Sequence, residues 1–138
     1  MSLAMLVRTM NLQDRKMLSK RRRKWNRRIS IAKACKDLTL RHVRKYKTPL
    51  WMDHYDLMVE LQRKRKRSMG KKNDLTINEI SNRARHLLCQ PFIIQEYHDK
   101  VHSGAIKRRY RAIVFSITDL DSLEEYILDL EENRDKVV

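Results

Sequence analysis

The stretch from Arg15 to Lys36 most constrains the fold, because it holds eleven lysines and arginines and no acidic residue. One apolar line runs through it at the steps of a single helix face: Leu18, Trp25, Ile29, Ala32 and Cys35. The pattern predicts an arginine-rich helix over residues 11–36 with one narrow packing face. The rest of its circumference repels itself unless a polyanion neutralises it.

The net charge of +15 is unevenly distributed along the 138 residues. Residues 1–118 hold 30 basic and 9 acidic side chains, whereas residues 119–138 hold 2 and 8. Because a basic body attracts phosphate backbones, the distribution favours nucleic acid, DNA or RNA, as the partner. A homodimer or an acidic protein partner are the alternatives. We expect no membrane association, since no run approaches the roughly 18 apolar residues of a membrane span.

The length allows one domain with a modest core. We expect a flexible lead-in over residues 1–10 and a single basic domain over residues 11–138. The first residues are too weakly apolar for a secretory signal, and 2 cysteines are too few for a disulfide scaffold. The expected location is therefore intracellular: the cytoplasm or nucleoid, or the nucleus in a eukaryote.

Helical signals dominate the chain, which has only 2 Gly and 2 Pro. After a break at residues 37–39, the pattern predicts a short helix over 39–46 and a helix over 49–69 that starts at Thr48-Pro49. A capping box at Thr76 and Glu79 predicts a helix over 77–89. An acidic helix over 121–134 follows, capped at Asp121, with its acids forming a solvated face or an internal counter-charge. Its inward-facing residues are Leu123, Tyr126, Ile127 and Leu130.

Alternating apolar residues over 105–117 predict a strand whose second half is buried. Residues 92–102 favour a helix after Pro91, with a strand over 92–98 as the competing interpretation. Because one strand cannot stand alone, residues 105–117 must pair with 92–98 or with a second chain. The predicted class is mainly α with a small β element (α+β), with about five helices and one or two strands.

Three basic clusters are candidate phosphate contacts, because guanidinium and ammonium groups neutralise phosphates. Patch one is Lys20, Arg21, Arg22, Arg23, Lys24, Arg27 and Arg28; patch two is Arg63, Lys64, Arg65, Lys66 and Arg67; patch three is Lys107, Arg108, Arg109 and Arg111. Trp25 and Tyr110 are candidates for stacking on a base. Trp25 also fits the packing line of its helix as an ordinary core residue.

The pair Asp53-His54, with Asn78 and His86 further on, loosely resembles the HNH nuclease family. The resemblance covers residues 47–90. It implies a metal-dependent endonuclease in which the two histidines and Asn78 are catalytic.

The sequence departs from that family beside the pair. Tyr55-Asp56-Leu57 stands where the family has Ile and Pro, and Pro49 begins a helical pattern where the family has a β-hairpin. Short cysteine pairs of the kind that bind zinc are absent, and 2 glycines allow no phosphate-cradling loop. We therefore expect no metal and no cofactor. The leading hypothesis is a non-enzymatic nucleic-acid-binding regulator, accessory or ribonucleoprotein factor, and the alternative is an HNH-like metal-dependent endonuclease, intact or degenerate.

Overall fold

A computed structural model describes residues 11–68, 75–101 and 109–136. Within these ranges the elements are α1 (Leu12–Tyr46), α2 (His54–Ser68), α3 (Ile77–Leu88), β1 (Ile93–Val101), β2 (Arg109–Ile117) and α4 (Leu120–Asp135). The predicted α+β class, mostly helical with a small sheet, is confirmed. The predicted lead-in over residues 1–10 lies outside the described residues. No helix in the described part of the chain is long and apolar enough to cross a membrane.

The first helix is longer than the sequence pattern predicts. α1 has 35 residues and is about 52 Å long at 1.5 Å per residue. The predicted break at residues 37–39 is wrong, because no glycine or proline interrupts the helix and Thr39 is buried in it. Asp37 accepts a hydrogen bond from Lys64 of α2. The short helix predicted over residues 39–46 is therefore the end of α1, and the described helices number four where about five were expected.

The second helix begins at His54, later than the predicted start at Thr48-Pro49. The preceding residues are not helical, and Met52 exchanges two backbone hydrogen bonds with Phe115 of β2, at 2.9 and 2.8 Å. Asp53 Oδ1 then accepts from the amide of Asp56 and Asp56 Oδ2 accepts from the amide of Asp53, both at 2.9 Å. This reciprocal pair satisfies two amides that a helix start leaves unbonded. Pairing with the sheet thus outweighs the local proline signal.

The predicted helix over residues 92–102 is wrong, since this segment forms β1. β1 and β2 pair antiparallel in a register that runs from Ile93 opposite Ile117 to Val101 opposite Arg109. The competing strand interpretation and its pairing with the 105–117 segment are therefore confirmed; residues 102–108 lie outside the described residues. A short apolar run suits either conformation, and here the neighbouring strand satisfies its backbone groups.

The caps of the last two helices show how local signals perform. The capping box of α3 is confirmed, with the Glu79 amide donating to Thr76 Oγ1 at 3.2 Å and the Thr76 amide donating to Glu79 Oε1 at 3.4 Å. For α4 the cap is Asp119, two residues before the predicted Asp121, because its carboxylate accepts from the amides of Asp121 and Ser122. The predicted inward-facing residues of α4 are all buried: Leu123, Tyr126, Ile127 and Leu130.

The core surrounds the centre of α1. Its apolar residues there are at most 4% exposed: Ile29, Ile31, Ala32, Ala34 and Cys35. The helices α2, α3 and α4 all pack against α1, and Phe115 of the sheet joins the same cluster. Burial raises the pKa of the Cys35 thiol to about 12, so Cys35 is a neutral core residue.

A buried carboxylate ties α1 to α2. Glu60 is 2% exposed, and it accepts hydrogen bonds from Arg41 of α1 at 3.0 and 2.5 Å. Arg63 donates to the same carboxylate at 2.9 and 3.4 Å. The hydrogen bonds from Arg41, opposed by burial and reinforced by Arg63, lower the pKa of Glu60 to about 2. Two guanidinium groups therefore stabilise one buried negative charge.

We expect Glu60→Gln to lower the free energy of unfolding at pH 7 by about 1–3 kcal/mol, because both guanidinium groups lose their charged acceptor. The folded-state pKa of Glu60 is depressed from 4.5 to about 2, so the wild-type advantage is present above pH 4.5 and is lost as the pH falls towards 2. Urea denaturation of both proteins across this range measures the difference. Glu125→Gln, an exposed carboxylate of α4, is the control with the same charge change. Equal stability of wild type and Glu60→Gln at pH 7 would contradict this role.

Candidate nucleic-acid interface

The exposed side of α1 carries a row of cations, which we call the outer stripe: Lys16, Lys20, Arg23, Lys24 and Arg27. All five side chains are exposed, and each lies three or four residues from another of the five, the spacing of neighbours on one helix face. At 100° per residue this face lies opposite the packing line of Leu18, Trp25 and Ile29. The fold therefore divides patch one, and it leaves Lys20, Arg23, Lys24 and Arg27 exposed on this face of the N-terminal half of α1.

The acidic helix compensates another flank of α1. Arg22 Nη1 lies 3.8 Å from Asp135 and Lys33 Nζ lies 3.6 Å from Glu131, while Lys36 pairs with Glu124. α4 thus supplies internal counter-charge to the flank on which it packs. Arg21, the remaining member of patch one on that side, lines a small hollow of about 170 Å³ beside Trp25 and Arg134.

A cleft of about 480 Å³ lies between α1 and α3, and we call it the α1/α3 cleft. Its lining is Lys24, Arg27 and Arg28 from α1, Asn82, Arg83, Arg85 and His86 from α3, and Cys89. Five of these side chains are cations and none is a carboxylate. Because clefts between low-dielectric walls focus the field of the charges that line them, this is a strongly positive site.

Two side-chain contacts of the α3 arginines in the cleft are made within α3 itself, and one of them goes to a neutral group. Arg83 Nη2 lies 3.9 Å from Glu79, at the limit of an ion pair, and Arg85 donates to the neutral Asn82 side chain at 3.3 Å. Arg83 and Arg85 are separate in the sequence and form no basic run, so sequence reasoning missed them. Their functional position becomes visible only because α3, the helix that carries them, packs beside the arginine-rich segment of α1.

His86 connects the α1/α3 cleft to a second hollow of about 300 Å³, since it lines both. His86 Nδ1 lies 2.6 Å from the hydroxyl oxygen of Tyr126, and the two rings stack with their centroids 5.6 Å apart. Burial, together with the charges of Arg28 and Lys24, lowers the pKa of His86. His86 is therefore neutral near pH 7, and an anion in the cleft would favour its protonated form.

Trp25 lies at the edge of the core. It is partly buried against the main apolar cluster, as the core interpretation predicts. Its ring also lies 5.3 Å from the guanidinium carbon of Arg28 and 5.8 Å from Lys24 Nζ, distances typical of cation–π contacts. Stacking of Trp25 on a base stays a prediction, and the side chain of the other stacking candidate, Tyr110, lies outside those described.

The described members of patch two have structural partners. Lys64 lies 2.5 Å from Asp37 of α1 and so helps to hold α2 on α1, whereas Arg63 binds Glu60 within α2. The side chains of Arg65, Lys66 and Arg67 lie outside those described.

The described members of patch three lie on β2 rather than on α1. Arg109 opens β2, and the exposed Arg111 lies 3.9 Å from Asp99 and 6.0 Å from the ring centre of Tyr97. Lys107 and Arg108 fall outside the described residues.

The residues of the nuclease alternative do not form one site. His54 opens α2, where its ring lies 5.8 Å from Phe115 and burial lowers its pKa. Asn78 and His86 lie in the first and last turns of α3, about 12 Å apart along the axis. Among the described residues no three His, Cys, Asp or Glu side chains are placed to hold a metal ion. The arrangement therefore gives the nuclease hypothesis no support.

No model of a protein family, no curated protein and no solved structure matches this chain. Function is therefore inferred from the charge and geometry of the chain itself.

We expect Arg28→Gln to raise the pKa of His86, because the Arg28 charge is one of the causes that lower it. An NMR titration of the histidine ring protons measures the change. In the folded wild type the pKa of His86 lies below 6.5, its ordinary value in an unfolded chain. The contribution of neutral His86 to the free energy of unfolding is therefore fully present above pH 6.5, and it falls as the pH drops from 6.5 through the folded-state pKa. Arg44→Gln removes the same charge near the other end of α1 and should leave His86 unchanged. A wild-type pKa at or above 6.5 would contradict this account of the cleft.

Proposed function

We propose that the protein is a non-enzymatic nucleic-acid-binding protein, acting as a regulator, accessory or ribonucleoprotein factor. It grips the phosphate backbone of DNA or RNA with the outer stripe of α1 and the adjoining α1/α3 cleft. The observation that carries the proposal is the lining of that cleft, where Lys24, Arg27 and Arg28 face Arg83 and Arg85 without a carboxylate.

The physical reason is the cost of holding these charges together. Like charges from two helices repel each other, and eight of the 17 acidic residues of the chain lie after residue 118. The α4 acids that form ion pairs instead reach Arg22, Lys33 and Lys36 on another flank of α1. A polyanion on the outer stripe would relieve the remaining repulsion and release its own counterions.

The outer stripe also has a suitable length. From Lys16 to Arg27 it extends about 16 Å along α1, over which one strand of a B-form duplex presents about five phosphates. Phosphate contacts position a protein on its partner without reading the sequence. Binding should therefore be strong at low salt and only weakly sequence-dependent.

Nucleic acid as the partner is consistent with an intracellular location, which belongs to the same proposal. An acidic protein partner would occupy the same positive surface in place of nucleic acid. Binding of duplex DNA, single-stranded DNA and structured RNA over a salt series, with Mg²⁺ present, separates these cases. Intact products and a steep loss of affinity with salt are expected. Absence of binding to all three near 0.1 M salt would overturn the proposal.

Neutralising the outer stripe should weaken binding. The triple variant Lys20→Gln, Arg23→Gln, Arg27→Gln should lower affinity on the order of a hundredfold at 0.1 M salt and flatten the slope of log K against log salt by about 2 to 3. Fluorescence anisotropy over a salt series measures both. The control is Arg44→Gln, Lys45→Gln, Lys47→Gln, which removes three exposed cations near the end of α1. Equal losses in the two triples would show that net charge, and not the outer stripe, governs binding.

Neutralising α4 should strengthen binding, because Arg22, Lys33 and Lys36 would lose their internal partners. The variant Glu124→Gln, Glu131→Gln, Asp135→Asn tests this, with Asp121→Asn, Glu125→Gln, Glu132→Gln as the control of equal charge. We expect a several-fold larger gain in affinity in the first triple and a stability cost of about 1 kcal/mol or less per exposed pair. Equal gains in both triples would contradict a local effect. Deleting α4 is unsuitable, since its inner face is part of the core.

A further inference from the structure

We infer that the α1/α3 cleft binds the terminal phosphate of a nucleic-acid strand, a phosphomonoester, in preference to an internal phosphodiester. This inference rests on the proposed function and names the chemical group that the cleft recognises. The inference assigns different groups to the two parts of the surface. The outer stripe would contact internal phosphates of the backbone, and the cleft would bind the phosphate at the end of the strand.

The first argument is charge. A phosphomonoester carries about 1.5 to 2 negative charges at pH 7 and three free oxygens, whereas a backbone phosphodiester carries one charge. The cleft gathers five cations from two walls, which is more than a single diester would neutralise. Guanidinium groups bind phosphate oxygens through paired hydrogen bonds. Arg27 and Arg28 on one wall, with Arg85 on the other, can therefore serve several oxygens of one group at once.

The second argument is shape. The outer stripe is convex, as any helix surface is, so a backbone can pass along it. The cleft is concave, and its volume of about 480 Å³ falls in the range of roughly 300–1,000 Å³ typical of small-ligand sites. It can admit one nucleotide, but not a duplex whose major groove alone is about 12 Å wide. A terminal phosphate can occupy such a site because the strand enters the cleft from one side only, whereas the strand on either side of an internal phosphate would need both an entry and an exit.

The third argument is continuity. Lys24 and Arg27 belong both to the outer stripe and to the cleft lining, so a strand lying along α1 reaches the cleft without a gap in positive charge. His86 on the opposite wall adds a ring nitrogen donor when it is protonated beside an anion.

The test compares single-stranded oligonucleotides of one sequence with a 5′-phosphate, a 3′-phosphate or hydroxyl ends, by fluorescence anisotropy with an internal label. We expect at least one phosphorylated end to bind about tenfold more tightly than the hydroxyl-ended strand. The variant Arg83→Gln, Arg85→Gln should lose this preference while still binding the hydroxyl-ended strand through the outer stripe. Arg85→Lys in place of Arg85→Gln should restore part of it, and Arg44→Gln, Lys45→Gln should keep it.

A second measurement does not need the oligonucleotide. Titration with a nucleoside 5′-monophosphate should shift the NMR signals of His86 and Cys89, whereas the nucleoside alone should not. Inorganic phosphate is the third arm: shifts as large as those with the monophosphate would identify the phosphate alone as the bound group.

The outcomes separate this inference from the proposed function. Equal binding of all oligonucleotide ends would overturn the inference and leave the proposed function standing. No binding of any oligonucleotide would overturn the proposed function. The monophosphate titration would then show by itself whether the cleft binds a phosphomonoester. No shift of His86 or Cys89 with the monophosphate would overturn the phosphate site itself.

Discussion

The apolar centre of α1 holds the rest of the described fold together. Ile29, Ile31, Ala32, Ala34 and Cys35 are buried there, and α2, α3 and α4 all pack against this one helix. A helix covered on most sides must be apolar where it is covered, so the charges of α1 are displaced towards its ends and its exposed edges. The arginine-rich segment is consequently a projecting part of a helix that the core anchors.

The supply of counter-charge then decides where the positive potential remains. Glu60 is committed to Arg41 and Arg63, and Asp37 is committed to Lys64. The carboxylates of α4 reach the flank of α1 on which that helix packs. The α1/α3 cleft, on another flank, is lined by five cations and by no carboxylate. Because the electrostatic field depends on the distances between charges, the cleft is a better candidate for binding an anion than any run of basic residues identified in the sequence alone.

Local signals predicted the elements whose boundaries depend on neighbouring residues. The capping box at Thr76 and the apolar period of α4 both identified their helices, since the hydrogen bonds and the packing face involved lie within one or two turns. The predictions that failed depend on distant partners. Met52 pairs with Phe115 and delays α2, and the segment after Pro91 becomes a strand because β2 lies beside it. The local helix patterns at Pro49 and Pro91 contain no information about these distant partners.

The sequence by itself determined the excess of positive charge, the basic helical segment over residues 11–36 with its apolar line, and the acidic last helix. All three are properties of composition and of helical period, which act within a few residues. Only the tertiary structure decided which cations are engaged between helices, as Arg41 and Lys64 are, and which come together in the α1/α3 cleft, as Arg28 and Arg85 do. The physical reason is that electrostatic energy falls with distance through space, and packing alone brings residues 28 and 85 to the same cleft.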